Sequence, residues 1–361
     1  MRMLRFRTMS YLDKACTSME AFSLLVPAGW ACEGDVRWSM DNPMLPATCG
    51  FKASGQDVDI QALPGHAFFW TSLPHVRLSH PVGSRYLGAT VCPPLNPPDF
   101  LRDVVLPAVR PNASDMEFVQ LSPPVDMGST LGYGETFQSC RSASSSGASA
   151  RVLYVEDGRQ YEEELYCTVT TFPFRVQAGG TCIDCIFWIA DHLISLRAER
   201  GRLAGVKGIL QTIVYSFRLN PRWLEKYNRI TLFLKDRQLY KPYSLRQLSA
   251  DVDTITFSSG DLFSDGSLPS GTLRQSAYRW IADSLSDAGL IAEYYDPIQQ
   301  ICVWLPAGYD LAWVSETGEY VLGDATDDSL EPGVSGNWQK MEPMGLEPQT
   351  GEPSPTAATC I

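Results

Sequence analysis

The residues best placed to do chemistry are Cys182 and Cys185, the thiols of the one Cys-x-x-Cys in the sequence. That spacing suits a redox dithiol or one half of a zinc site. A full zinc site needs two more ligands. Cys167 and His192 are at hand, but on a helix His192 falls on a different side from Cys182, and there is no second Cys-x-x-Cys. The plainer reading is that these cysteines pack as small apolar side chains; a dithiol or disulfide and a metal site stand beside it as alternatives. The other histidines, His66, His75 and His80, fall in or beside a proline-rich stretch where a general base or a metal ligand is conceivable. No His-Glu-x-x-His, His-x-His or nucleophile elbow accompanies them, so they read as exposed loop residues.

Carboxylates are plentiful in Glu162-Glu163-Glu164, Asp296, and Asp324 with Asp327-Asp328. A calcium loop needs oxygen ligands at alternating positions, a glycine bend and a closing Glu, which Asp324 to Glu331 only loosely echoes. Solvated acidic turns are the expectation. Nucleotide motifs are missing as well, with no Gly-x-Gly-x-x-Gly after a strand and no phosphate-binding loop. No cofactor and no catalytic constellation are expected. Aromatic residues are the remaining signal: Phe68-Phe69-Trp70, Trp304, and then Tyr309, Trp313, Tyr320 and Trp338. Exposed aromatics mark recognition surfaces, which makes Tyr309, Trp313, Tyr320 and Trp338 the protein-contact candidates; the alternative is that they fill the cores of two small units.

The elements that must hold these residues read as follows. Short strands open the chain at Ala21 to Val26, Val36 to Met40, Ala47 to Lys52 and Val58 to Leu63, with turn residues between them. Prolines from 74 to 98 make an irregular loop, after which Asp99 caps a short helix that Pro107 ends. The Ser-, Ala- and Gly-rich residues 142–149 predict a mobile connection. Asp157-Gly158 then closes a hairpin between Arg151 to Glu156 and Tyr161 to Phe172. An apolar stripe at Cys182, Ile186, Ile189, Leu193 and Leu196 predicts one helix, and Leu203 to Phe217 a second, stopped by Asn220-Pro221. Residues 225–270 carry no firm pattern. Leu273 to Ala288 reads as a helix capped by Gly289, and Ile301 to Leu305, Tyr309 to Ser315 and Tyr320 to Gly323 as a meander.

These elements group into an N-terminal extension (1–19), an α+β domain (20–220), an irregular or helical connector (221–290), a small β-meander (291–340) and a disordered tail rich in Pro, Glu, Gly and Thr (341–361). The 361 residues carry a formal charge of −12, which repels phosphate backbones and sets nucleic acid aside. No stretch approaches the roughly 18 apolar residues of a membrane span, and no signal peptide follows the opening arginines. A soluble, cytoplasmic protein is expected, with signal-independent secretion left open.

Two resemblances add to this. Phe22-Ser23-Leu24-Leu25-Val26-Pro27-Ala28-Gly29-Trp30 resembles the opening strand and turn of PsbP-like domains, and Ile213-Val214-Tyr215-Ser216-Phe217-Arg218 is similar to that family's last helix, bracketing residues 20 to 220. The resemblance implies an antiparallel β-sheet flanked by helices, in a superfamily of scaffolds, assembly factors and chaperones that includes many uncharacterised bacterial proteins. Leu305-Pro306-Ala307-Gly308-Tyr309-Asp310, Gly318-Glu319-Tyr320 and Trp338 resemble a WW domain in their order, which implies a groove for proline-rich peptides at Tyr320 and Trp338. The expected function is non-catalytic protein binding, as a scaffold or chaperone-like module with an unknown partner. A metal or thiol-redox protein using Cys182 and Cys185, and a structural subunit of a larger assembly, are the alternatives.

Overall fold

The structure, a computed structural model, describes residues 3–42, 44–86, 88–128, 143–178, 181–237, 271–285, 289–324 and 336–344. The first third of the chain gives β1 (Met3–Leu12), β2 (Glu20–Pro27), β3 (Ala31–Trp38), β4 (Ala47–Ser54), β5 (Val58–Leu63) and β6 (His66–Thr71). Residues 72–98, expected as irregular loop, hold α1 (Pro74–Ser79), β7 (Arg85–Tyr86) and β8 (Ala89–Val91). A helical segment, α2, runs over 97–109 with a π-turn at Leu101–Val105. Its cap is Asn96, whose side chain accepts from the Asp99 amide, and not Asp99 itself. There follow β9 (Ser114–Leu121), β10 (Val125–Asp126), β11 (Ser144–Glu156), β12 (Arg159–Ala178) and β13 (Thr181–Glu199). The last third comprises α3 (Leu203–Ser216), β14 (Arg218–Leu219), α4 (Pro221–Arg237), α5 (Gly271–Ser284), β15 (Ile291–Asp296), β16 (Ile301–Pro306), β17 (Leu311–Ser315), β18 (Glu319–Gly323), β19 (Trp338–Lys340) and β20 (Glu342–Pro343).

Strands account for 52% of the described residues and helices for 21%. The expected helix-flanked α+β sandwich is therefore overturned in favour of a mostly-β molecule built from curled, many-stranded sheets. The main cause is residues 182–196, which form most of the 19-residue strand β13 and not a helix. This strand lies centrally between β12 on one side and β5 and β6 on the other. A strand buried on both faces reads as a near-continuous apolar run, and helix-spaced residues can be picked out of it by chance. Its β-branched and aromatic composition, Ile183, Ile186, Phe187, Trp188, Ile189 and Ile194, is the strand signal that the stripe hid.

The Ser-, Ala- and Gly-rich stretch is likewise corrected: from Ser144 onward it is the first half of β11. Small side chains are needed there for packing, because a Cβ on Gly147 would stand 2.8 Å from the Trp280 ring. Ala148 and Ala150 are buried against α2, and the Ser144 and Ser145 hydroxyls hydrogen-bond those of Thr171 and Thr170 across the ladder at 2.8 Å. The Asp157-Gly158 hairpin forms, with φ of 50° and 75° at its two central residues, as a primed turn demands.

Three sheets result. One has the order β14-β2-β1-β18-β17-β19. Residues 1–19, expected as an extension, thus supply β1, a central strand paired to β2 and to β18 with Phe6 opposite both Pro27 and Tyr320. The eleven-stranded sheet runs β10-β11-β12-β13-β5-β4-β3, with β6, β7, β8 and β9 off that path. The third is β16-β15-β20. The C-terminal meander is accordingly split: β16 pairs with β15, while β17 and β18 join β1 in the first sheet. The connector region holds α4 and α5, and residues 238–270 lie outside the described residues, as does the tail from 345.

Helices cover part of each face of the large sheet. Its inner face, with Val36, Phe51, Ile60, Ile194 and Leu196, packs under α3, α4 and α5 through Leu210, Trp223 and Ile281. On the outer face α2 lays Phe100, Leu101, Val105 and Leu106 over Val152, Leu165 and Trp188. Each such side chain withdrawn from water contributes about 1.5–3 kcal/mol. A buried carboxylate ties the helical cover to the sheet: Asp13 accepts the indole N–H of Trp38 at 3.1 Å and that of Trp223 at 3.0 Å, along with the Cys16 amide and the Thr17 hydroxyl.

Candidate functional site

Alternation along β3, β4 and β5 sends Val36, Ala47, Phe51, Ala53, Ile60 and Ala62 inward and leaves Glu33, Asp35, Arg37, Thr48, Lys52 and Gln61 on the outer face. Here α2 does not reach, and these residues line an open groove of about 260 Å³. Gly50 forms part of its floor. A Cβ there would lie 3.3 Å from an Asp35 carboxylate oxygen, so the absence of a side chain deepens the groove at its middle. Asp35 pairs with Arg37 at 2.7 Å, with both side chains more than half exposed. Glu33 and Lys52 stand opposite each other in the ladder yet form no ion pair among the described residues. The groove thus offers one acid and one base with unspent charge, together with the Thr48 hydroxyl and the Gln61 amide.

One strand further in, Gln61 pairs with Ser195, and the same face passes under α2. There Glu163, fully buried, receives the Arg110 guanidinium through two nitrogens at 2.9 and 3.0 Å, the Tyr154 hydroxyl at 2.7 Å and the Ser195 hydroxyl at 2.5 Å. Beside it Arg197 pairs with Glu156 and lies 3.7 Å over the Tyr161 ring. On the opposite face Glu162 accepts from Arg151 and from the Leu203 amide at the start of α3, while Glu164 meets Lys207 at 3.2 Å and the Tyr166 hydroxyl at 3.0 Å. The Glu162-Glu163-Glu164 run, expected as a solvated turn, therefore lies within β12 near its start and is buried, and each carboxylate is held by cations or donors. Asp296 is buried as well; it caps a turn by accepting from the Ile298 and Gln299 amides and holds the Tyr320 hydroxyl at 2.8 Å.

The thiols and histidines are placed apart. Cys182 and Cys185 sit on β13, where three residues span about 10 Å, beyond the Cα separation of a disulfide. The Cys182 side chain lies outside the described residues; Cys185 is buried with its sulfur 3.5 Å from the Thr71 hydroxyl. Cys167 is buried under α2. Burial pushes the thiols of Cys167, Cys92 and Cys32 up, away from the thiolate form that redox and nucleophilic chemistry need. His192 occupies a bulge where the β12–β13 register slips, at φ 52°, with Nδ1 2.9 Å from the Thr168 hydroxyl and its ring edge-on to Tyr278. His66 flanks Phe68 and Phe100, and His80 lies against Tyr86. The His75 side chain is outside the described residues. Among those described, no group of three or more His, Cys, Asp or Glu is arranged to hold a metal ion.

The aromatic candidates also divide. Tyr320 and Trp313 are buried on opposite faces of the first sheet, Tyr320 toward the third sheet and Trp313 against Leu311, Val321 and Trp338. Tyr309 packs partly buried beside the Tyr320 cluster, and Trp338 is half-buried on the edge strand β19. Tyr320 and Trp338 thus share no exposed groove of the kind a WW domain would require.

Fold and groove together define a mostly-β protein with a polar, open groove on its largest sheet. No protein-family model matches the sequence, and no curated protein matches it either. The groove residues carried a sequence signal that was available: Glu33, Asp35 and Arg37 alternate with Gly34 and Val36, and Thr48, Gly50 and Lys52 with Cys49 and Phe51. Which face stays uncovered depends on where α2 ends, a tertiary fact with no local signature.

Proposed function

We propose that the protein is a non-catalytic binding module whose ligand is an extended segment of a partner protein carrying both acidic and basic side chains. The groove on β3, β4 and β5 carries this reading, because it pairs an exposed, unneutralised Glu33 with Lys52 on a rigid ladder floored by Gly50. A partner's base meets Glu33 and its acid meets Lys52, while Thr48 and Gln61 hydrogen-bond its backbone. Such rim-exposed pairs set register and partner choice more than raw affinity. The saturation of the buried acids favours the same reading: Glu163, Asp13 and Asp296 each serve several internal donors, which is structural work.

The test is a peptide-display selection on the immobilised full chain, run in parallel on Gly50→Trp, which fills the groove. Enrichment of mixed-charge peptides by the native protein that is lost with Gly50→Trp supports the proposal. Enrichment of the same peptides by both proteins, or by neither, would overturn it.

A further inference from the structure

The lobe around α1 differs from the rest of the molecule in both charge and exposure. Between Asp59 and Asp99 the sequence has no acidic residue, in a chain that carries 41 of them. The two most exposed large apolar side chains among the described residues lie in this stretch, Leu78 at 84% on α1 and Val82 at 64% on the turn that follows. The turn is pinned rather than loose: the Gly83 amide donates to the Val91 carbonyl and the Val91 amide to that of Ser84, while His80 packs against Tyr86. Trp70, at the end of β6, is half-buried beneath the Arg77 guanidinium, 5.7 Å from its centroid.

Among the described residues, two carboxylates from other elements pair with arginines here, Asp41 with Arg85 at 2.7 Å and Asp184 with Arg175 at 2.7 Å, and a third, Asp191, faces His66. Arg77 has no ion-pair partner among the described residues, which leaves the local surface cationic on a molecule of net charge −12. Apolar tips flanked by an arginine and an interfacial tryptophan are the composition of a surface that enters the headgroup layer of a bilayer. We propose that this lobe docks the protein peripherally on an anionic phospholipid surface, with Leu78 and Val82 inserted and Arg77 at the headgroups. The acidic remainder of the molecule is repelled by the same surface and so fixes the docking orientation.

Co-sedimentation of the full chain with phosphatidylcholine vesicles containing about a third phosphatidylserine tests this. Binding is expected to fall roughly tenfold or more in the Leu78→Ser, Val82→Ser double variant, and severalfold in Arg77→Gln or on raising the salt. Both apolar positions are exposed, so circular dichroism of the variants should match the native protein. The assignment is overturned if native and double variant pellet equally, if neither pellets, or if pure phosphatidylcholine binds as well as the anionic mixture. It is also overturned if velocity sedimentation without lipid shows a self-association that the double variant abolishes, for the occupant would then be a second copy of the chain.

Discussion

The outer face of the large sheet carries the same residue types in two settings. Under α2, Glu163 is sealed from water and joined by a mostly buried Arg110, Tyr154 and Ser195; three and four strands away, Lys52 on β4 and Glu33, Asp35 and Arg37 on β3 lie open in the groove. A buried carboxylate cannot be left without its partners, so the first set is locked into one arrangement. The second set loses little by changing partner, since exposed ion pairs contribute only about 0–1 kcal/mol. Coverage, more than residue type, separates a structural charge from one available to a ligand.

The largest effect that can break this comparison is expected at Glu163. Glu163→Ala leaves the Arg110 guanidinium with little solvent and the Tyr154 and Ser195 hydroxyls without their acceptor, and should destabilise by about 3–5 kcal/mol in urea unfolding. A loss below 1 kcal/mol would mean that water already reaches the cluster. Replacing both partners sharpens the point: Glu163→Met with Arg110→Met should be less destabilising than Glu163→Ala alone, because the unpaired charge is gone. Next in size is Gly147→Leu, which drives a side chain into the Trp280 ring and should cost about 1–3 kcal/mol. That loss would show β11 packing against α5 as a real constraint and not a pliable linker.

How much of this was legible varies with the kind of signal. The Asp157-Gly158 hairpin and helix α3 could be read locally, since turn chemistry and an amphipathic period need no knowledge of neighbours. β13 could not, because its two buried faces erase the alternation that identifies a strand. The first half of β11 was masked in another way: serine, alanine and glycine signal flexibility in isolation, yet here their smallness answers the close approach of Trp280 and α2. Glu162-Glu163-Glu164 has the composition of a solvated turn, and only the distant Arg110, Arg151, Lys207 and the α3 amide make it a buried strand segment. The pairing of β1 with β18 spans over 300 residues and leaves no local trace.

The smallest expected effect lies in the open half of the face, and its smallness is the point. Lys52→Glu places two acids opposite each other at the Glu33 position, a like-charge pair that destabilises a ladder by only a few tenths of a kcal/mol when water screens it. The melting temperature should therefore move by no more than about 2 °C, whereas peptides selected by the native groove should lose their acidic contact and bind at least several-fold more weakly. The compensating double change, Glu33→Lys with Lys52→Glu, restores opposite charges in reversed order and should recover stability without recovering binding. Recovery of both would mean that the groove senses only net charge. Recovery of stability alone would mean that it reads the order of charges along a partner, which the covered half of the same face, with its charges fixed inward, is unable to do.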